Sequence, residues 1–285
     1  MALVVNTNMN SLTIENTLSN TNNAVSQSLQ KLSSGLRINS AADDPAGYAI
    51  ANSFKASISA MQVASQNASQ AQSMLQTADG AYSQINNILV QMKSLATEAA
   101  SGQESSTNST SLQNEFIALQ SEIDQIANST MYGGTTLING TGPSTVTFQI
   151  GATNSTNDQF AVSLTSATAV SLGVGYTGEQ GIGSTTVGID NQANAQKAMD
   201  AIDQALTSIN AYMGDVGGLQ NRLQYTMSNL TTSIQNFTAS ASAIEDVDMA
   251  SEVSNMTKNQ ILQQSSMAML AQANSQPQQI LRLLS

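Results

Sequence analysis

The side chains that could do chemistry in this sequence are almost all carboxylates. Asp43 and Asp44 stand together, and Glu245, Asp246, Asp248 and Glu252 crowd into a second short run. Clustered carboxylates can hold a divalent cation or work as an acid and base pair. Both groups also stand where helices would begin, and there a carboxylate accepts helix-start amides and complements the helix dipole without any chemistry. The sequence contains no His and no Cys. That removes the usual proton shuttle near neutral pH, the thiolate nucleophile, Cys/His zinc sites and disulfides. The residues point to a protein that is not an enzyme, with no catalytic residue, no cofactor and no metal ligand set expected.

The elements that carry these residues have an unusual surface. Of the 285 residues, 40% are hydrophobic but only 9% are charged and 4% aromatic. An ordinary globular chain keeps about a quarter of its residues charged. Neutral Ser, Thr, Asn and Gln fill the difference, and such a face is cheap to desolvate against a copy of itself. The formal charge is −11, from 8 basic and 19 acidic residues. No nucleic-acid partner and no membrane partner are expected, because the few basic residues are scattered and cannot neutralise a row of phosphates. No apolar run reaches the roughly 18 residues of a spanning helix. The start MALVVNTNMNS lacks the basic and long apolar regions of a secretory signal, so any export is expected without a cleavable signal peptide.

Apolar residues recur in alternating steps of four and three, the period of a helix seam packed on another helix. Val25, Leu29, Leu32 and Leu36 form a first seam; Met74, Ala78, Ala81, Ile85, Ile88, Met92, Leu95 and Ala99 form a longer one. A helix over about 45–99 would extend roughly 80 Å, a rod. Leu112, Phe116, Leu119, Ile123 and Ile126 give a third segment. From 131 to about 188 the period becomes two: Val146, Phe148 and Ile150, then Phe160, Val162 and Leu164, read as two strands beside Gly-rich turns. Helix resumes near Asn191, with Ile202, Ala205, Ile209, Tyr212, Val216, Leu219, Leu223, Leu230 and Phe237 on one face. Gly214, Gly217 and Gly218 inside that run imply either a bend or a closely approaching backbone.

The last segment offers the line Met249, Val253, Met256, Gln260, Gln263, Met267 and Leu270, apolar at its ends and amide in its middle. Short helices with so little apolar surface are marginal without partners. The two chain ends therefore look made to pair with each other and with further copies of the chain. Between the first seam and the long helix lies KLSSGLRINSAADDPAGYAIA, at 31–51, which holds Gly35, Asn39, Asp43, Asp44 and Pro45. Gly35 and Asn39 suit a helix end, and Asp44-Pro45 suits an N-cap followed by a first helical residue. This is a hinge between two helices. Ser242 and Glu245 stand at capping-box spacing and suggest a matching break near the other end. The fold class is mainly α: long antiparallel coiled-coil or bundle helices, a small insert rich in β-hairpin, and paired helical termini.

LSSGLRINSAADDPAGYAIAN at 32–52 and SEVSNMTKNQILQQSSMAMLAQANSQPQQILRLLS at 251–285 resemble the two ends of bacterial flagellin, and NRLQYTMSNL at 221–230 is also similar to that family. The resemblance implies a secreted structural subunit that self-assembles into the helical, tubular flagellar filament used for swimming. It implies an inner core built from 1–44 and 243–285, with Val25, Leu29, Leu32, Leu36, Met249, Val253, Met256, Met267 and Leu270 as its seam. The outer wall would then be 45–190 and 191–242, and the hinge Gly35, Asn39, Asp43, Asp44 and Pro45. Large outer domains are absent from so short a middle. The family's inserted metalloprotease is excluded too, since HExxH needs His.

Implied partners are the chain itself in many copies, the filament cap, the hook–filament junction proteins, and an export chaperone at the C-terminal segment. Host innate immune receptors are a further implied partner, through a patch at Gln91, Lys93, Leu95 and Glu115. There Gln91 and Ser94 replace charged residues, and Leu119 replaces a basic one. Leu95 also serves its own helix seam, which is the plainer reading. Two other functions share the helical ends: the hook–filament junction protein and a secreted coiled-coil adhesin.

Overall fold

The computed structural model describes residues 8–101, 106–143, 145–175 and 187–284, and side chains at all of these except 106, 107 and 277–284. The leading MALVVNT, the Gly-rich stretch 176–186 and the side chains of the ILRLLS ending lie outside the described residues. The chain divides into two compact units, Met1–Ile58 with Gln235–Ser285, and Ser59–Ile234. Five α-helices carry most of it: α1 (Met9–Ser34), α2 (Pro45–Ala99), α3 (Ser106–Ser129), α4 (Gln192–Glu245) and α5 (Met249–Leu284). Helices α2 and α4 each contribute to both units.

In the second unit α2 and α4 run antiparallel. Tyr82 packs on Tyr212 with ring centroids 5.9 Å apart, the Asn86 amide donates to Asn210, and Lys93 pairs with Asp203 at 2.5 Å. Every residue of the long expected seam on α2 is buried or half-buried, and Leu75, Tyr82, Leu89 and Ala96 widen it by a second line. A stripe of that width belongs to a helix covered from more than one side. The cover is α4, with Ile202, Ile209, Val216 and Leu223, and α3, with Phe116, Ile123 and Ala127. The Tyr82 hydroxyl donates to the Thr165 carbonyl at 2.7 Å, and burial pushes its pKa well above the ordinary tyrosine value.

The β residues form two small antiparallel pairs. In the first, β1 (Met131–Tyr132) turns through Gly133 and Gly134 into β2 (Thr135–Thr136). Both glycines have positive φ, 58° and 84°, as the tightest hairpin turn requires. In the second, β3 (Val146–Gln149) and β4 (Gln159–Val162) pair with Phe148 opposite Phe160. This hairpin is tied to α2 by Asn67, whose amide donates to the Gln149 carbonyl, and to α4 by the Arg222 guanidinium, 5.2 Å from the Phe160 ring centre.

Polar side chains on one line of α3 hold the chain on either side of the 176–186 stretch. Gln120, buried at 3% exposure, donates to the Val174 and Val187 carbonyls. Gln113 accepts from the Ile189 amide, and Asp124 from the Ala169 amide. These amide clamps do work that strand pairing would do in a wider sheet.

One expectation is narrowed and one is corrected. A Cβ built on Gly214, Gly217 or Gly218 meets nothing within 4 Å, so no backbone approaches closely there, and α4 continues through all three. Ser242 and Glu245 form no capping box, because α4 runs on to Glu245 and the next helix is capped by Asp248. The glycine finding has a measurable consequence. Replacing each of Gly214, Gly217 and Gly218 by Ala will raise subunit stability by about 1 kcal/mol, through helix propensity alone. Thermal unfolding followed by circular dichroism checks this, and an unchanged or lowered midpoint for the triple variant contradicts it.

Candidate functional site

The two connectors, 35–44 and 246–248, meet inside the first unit. Helix α1 ends because Gly35 takes φ 74° and donates its amide back to Lys31. The chain then pairs with the other connector. Val247 donates to the Gly35 carbonyl at 3.0 Å, Arg37 to that of Glu245 at 2.5 Å, and Leu36 forms an antiparallel bridge with Asp246. The Arg37 guanidinium adds a bond to the Ile244 carbonyl at 2.6 Å.

Asn39 donates its side-chain amide to Ser34 Oγ at 2.8 Å, closing the turn from the far side. Asp43 accepts from the backbone of Asn39 and from the backbone and hydroxyl of Ser40. These bonds, the Asn39 amide foremost, hold its carboxyl below the ordinary carboxylate range. The turn is therefore strengthened above that range and loses this support as pH falls through the lowered value. Asp44 caps α2 by accepting from Ala46 and Gly47. A Cβ at Gly47 would collide with the Asp44 carboxylate and with Ile38, so the cap requires glycine there.

Carboxylates are thus occupied as caps or ion pairs. Glu245, with 5% of its side chain exposed, pairs with Lys55 at 2.6 Å; Asp246 takes the Ser242 hydroxyl; Asp248 caps α5. Among the described residues no group of three or more could hold a metal ion. Sequence reasoning missed Lys55 and Arg37. The available signal was only that Lys55 is the sole basic residue between Arg37 and Lys93.

Helices α1 and α5 lie side by side and antiparallel. Asn8 donates to the Ala273 carbonyl at 2.8 Å, Ser11 to Asn274 at 2.9 Å, and Gln263 to Asn22 at 2.6 Å. The covered line on α1 is Ser11, Ile14, Leu18, Thr21, Val25, Ser28 and Leu32, a regular three–four alternation in which Thr21 and Ser28 are the buried members. On α5 it passes through Glu252, Met256, Gln260, Gln263, Ser266, Leu270 and Ala273. Of the expected seam, Val25, Leu32, Met256 and Leu270 stand on these lines, and Leu36 is half-buried in the connector. Leu29, Met249, Val253 and Met267 stand outside them, at 52%, 49%, 44% and 49% exposure. Met9, Leu12, Ile261, Leu262 and Met269 are exposed as well.

The contact line is therefore mixed, half of its members apolar and half hydroxyl, amide or carboxylate, while several large apolar side chains stay exposed outside it. Only five ionisable side chains, Glu15, Lys31, Glu252, Lys258 and Arg282, occur along both helices. Large apolar side chains left open on a surface this poor in charge suit a face that another molecule covers.

The expected receptor patch lies in the second unit. Gln91 and Glu115 are exposed, Leu95 is half-buried against the core, and Lys93 is tied to Asp203.

Comparison with known proteins agrees with this arrangement. The family model of the bacterial flagellin N-terminal helical region matches residues 5–142, and that of the bacterial flagellin C-terminal helical region matches 199–284. The flagellin of Bacillus subtilis (strain 168) is 39% identical, over 98% of this chain and 99% of its own. The flagellar filament 33 kDa core protein of Treponema phagedenis is 36% identical, over 99% and 100%. A solved structure described as a flagellar hook-associated protein from Vibrio parahaemolyticus shares the fold, with TM-score 0.58 over 72% of this chain and 100% of its own at 15% identity. With both helical ends matched and nearly the whole length shared, the chain belongs to the bacterial flagellin family.

Proposed function

We infer that this protein is a structural subunit that polymerises, copy upon copy, into the extracellular flagellar filament used for swimming. The observation that carries this reading is the α1–α5 pair, which leaves large apolar side chains, Leu29, Ile261, Met267 and Met269 among them, exposed outside its own contact line. Full burial of one such side chain contributes about 1.5–3 kcal/mol, and here that gain is collected only when neighbouring copies close over it. In the free subunit the two helices have little to offset their ordering entropy, so order comes with assembly.

In this reading the inner core is 1–44 and 243–285 and the outer wall 45–190 with 191–242; the first unit contains both inner-core segments and also takes in 45–58 and 235–242. Gly35, Asn39, Asp43, Asp44 and Pro45 act as the hinge between them; its support is the linked pair of connectors, stapled by Lys55 and Glu245. Export is aided by a chaperone on the C-terminal segment, and the filament meets the cap and junction proteins at its ends. Recognition by a host receptor at Gln91, Lys93, Leu95 and Glu115 is weak, because Gln91, Ser94 and Leu119 stand where charged residues would make the contact.

Deleting residues 1–40 will abolish elongation of seeds made from filament fragments, while circular dichroism still reports the folded second unit. Light scattering and electron microscopy read the outcome, and elongation at the full-length rate contradicts it. Capping of seeds without growth by the full-length chain favours a junction role instead, and self-association that survives the deletion favours an adhesin.

The staple is tested in filaments. Lys55→Met leaves the Glu245 carboxylate buried without its cation. Loss of a buried partner costs about 3–5 kcal/mol, which the half-exposed position of Lys55 reduces to about 1–3 kcal/mol. Filaments of the variant will melt at lower temperature, and Lys55→Met with Glu245→Met will recover most of the loss. Equal melting of single variant and wild type removes the staple from the account.

A further inference from the structure

The chain has 13 methionines, and their exposure varies widely. Met61, Met74 and Met92, all on α2, are buried, at 6%, 2% and 0% exposure. Met9, Met249, Met267 and Met269, on α1 and α5, are open at 63%, 49%, 49% and 55%, as is Met131 on β1 at 49%, away from the helix pair. Met267 and Met269 are two residues apart on one helix, hence about 200° apart around it, and so flank the α5 contact line on its two sides. The α1–α5 pair thus presents thioethers on both flanks of the face that copies of the chain are to cover.

We propose that Met249, Met267 and Met269, together with Met9, are oxidation sites that switch off the subunit's ability to join a filament, and that incorporation protects them. The inference rests on the filament reading above. The chemistry is a two-electron oxidation by a peroxide: the thioether sulfur takes one oxygen atom, the O–O bond breaks, and the peroxide leaves as water. An unbranched apolar side chain becomes a strongly polar sulfoxide. On a free subunit the new group is solvated and costs nothing. On joining a filament it must be buried among apolar neighbours, and an incompletely paired polar group there forfeits the gain the thioether would have made. Oxidation therefore discriminates between the two states, acting on subunits before assembly and sparing those already incorporated.

The test uses full-length subunits treated with hydrogen peroxide, quenched with free methionine, and then mapped by peptide mass spectrometry. Sulfoxide is expected at Met9, Met249, Met267 and Met269, and at Met131 away from the helix pair, with Met61, Met74 and Met92 unmodified. Seeded elongation of treated subunits will fall at least about tenfold, the effect of one buried polar group left incompletely paired. Methionine sulfoxide reductase will restore it, and preformed filaments given the same peroxide will carry far less sulfoxide at the α5 sites. A variant with Met9, Met249, Met267 and Met269 replaced by Leu will elongate equally before and after peroxide. Should that variant fail to assemble, reductase rescue of the wild type decides the matter. Untreated subunits that fail to elongate seeds overturn the filament reading and this inference together. Untreated subunits that elongate, with treated ones elongating equally well, overturn this inference alone, as does sulfoxide confined to other positions.

Discussion

The fold of the first unit depends on a helix pair that cannot satisfy itself. Between α1 and α5 the covered positions are Ser11, Thr21, Ser28, Gln260, Gln263 and Ser266 as often as they are Ile14, Leu18, Val25 or Leu270. Hydroxyls and amides at a contact line fix which residues face each other, as Asn22 and Gln263 do here, while adding less than leucine would. Register is thereby specified at low intrinsic strength. Several apolar side chains that would have strengthened the pair, Leu29 and Ile261 among them, stay exposed instead, and the same pattern that weakens the lone chain equips it for neighbours.

The second unit shows the opposite arrangement. Its core closes completely around Tyr82, Phe116, Ile202 and Ile209. Most of the chain's acidic residues lie between Ser59 and Ile234, and net negative charge keeps such a surface solvated. Within the first unit the connectors are held by backbone pairing at Leu36 and Asp246, with an ion pair at Lys55 and Glu245 and carboxylate caps at Asp44 and Asp248 beside it. Each of these bonds is short in reach and directional, unlike the apolar contacts on either side.

Local signals were the legible ones. Gly35 ending a helix, Asp44-Pro45 beginning one, Gly133-Gly134 turning a hairpin and the period-two strands are set by neighbours in sequence, so the sequence alone can specify them. The long seam on α2 was readable for the same reason, since a core stripe repeats over many turns. Ser242 and Glu245 misled because the capping pattern is degenerate: α4 continues past Ser242, and Glu245 pairs instead with Lys55, far away in sequence. The contact line through Thr21 and Ser28 was hidden because a hydroxyl on a helix face reads as surface, whereas apolar spacing selects Leu29, which the α1–α5 contact leaves exposed. Gly214, Gly217 and Gly218 carry no record of the space around them, and only coordinates reveal that it is open.

Near-absence of charge on α1 and α5 completes the physical picture. A subunit in a helical polymer meets several neighbours at once, each presenting a different part of the same two helices. A charge on such a surface must find its counter-ion in every one of those contacts or bear the cost of desolvation, and few sequences could arrange that on all sides. An amide or hydroxyl tolerates many partners, because it can donate or accept and rotates to suit. Outward Met249, Met267 and Met269 adapt in the same way through flexible thioether chains. The composition that looked odd in the sequence, rich in Ser, Thr, Asn, Gln and Met and poor in Lys and Glu, is what a repeatedly reused interface requires. The accessibility that makes these thioethers adaptable in contact also exposes them before contact is made.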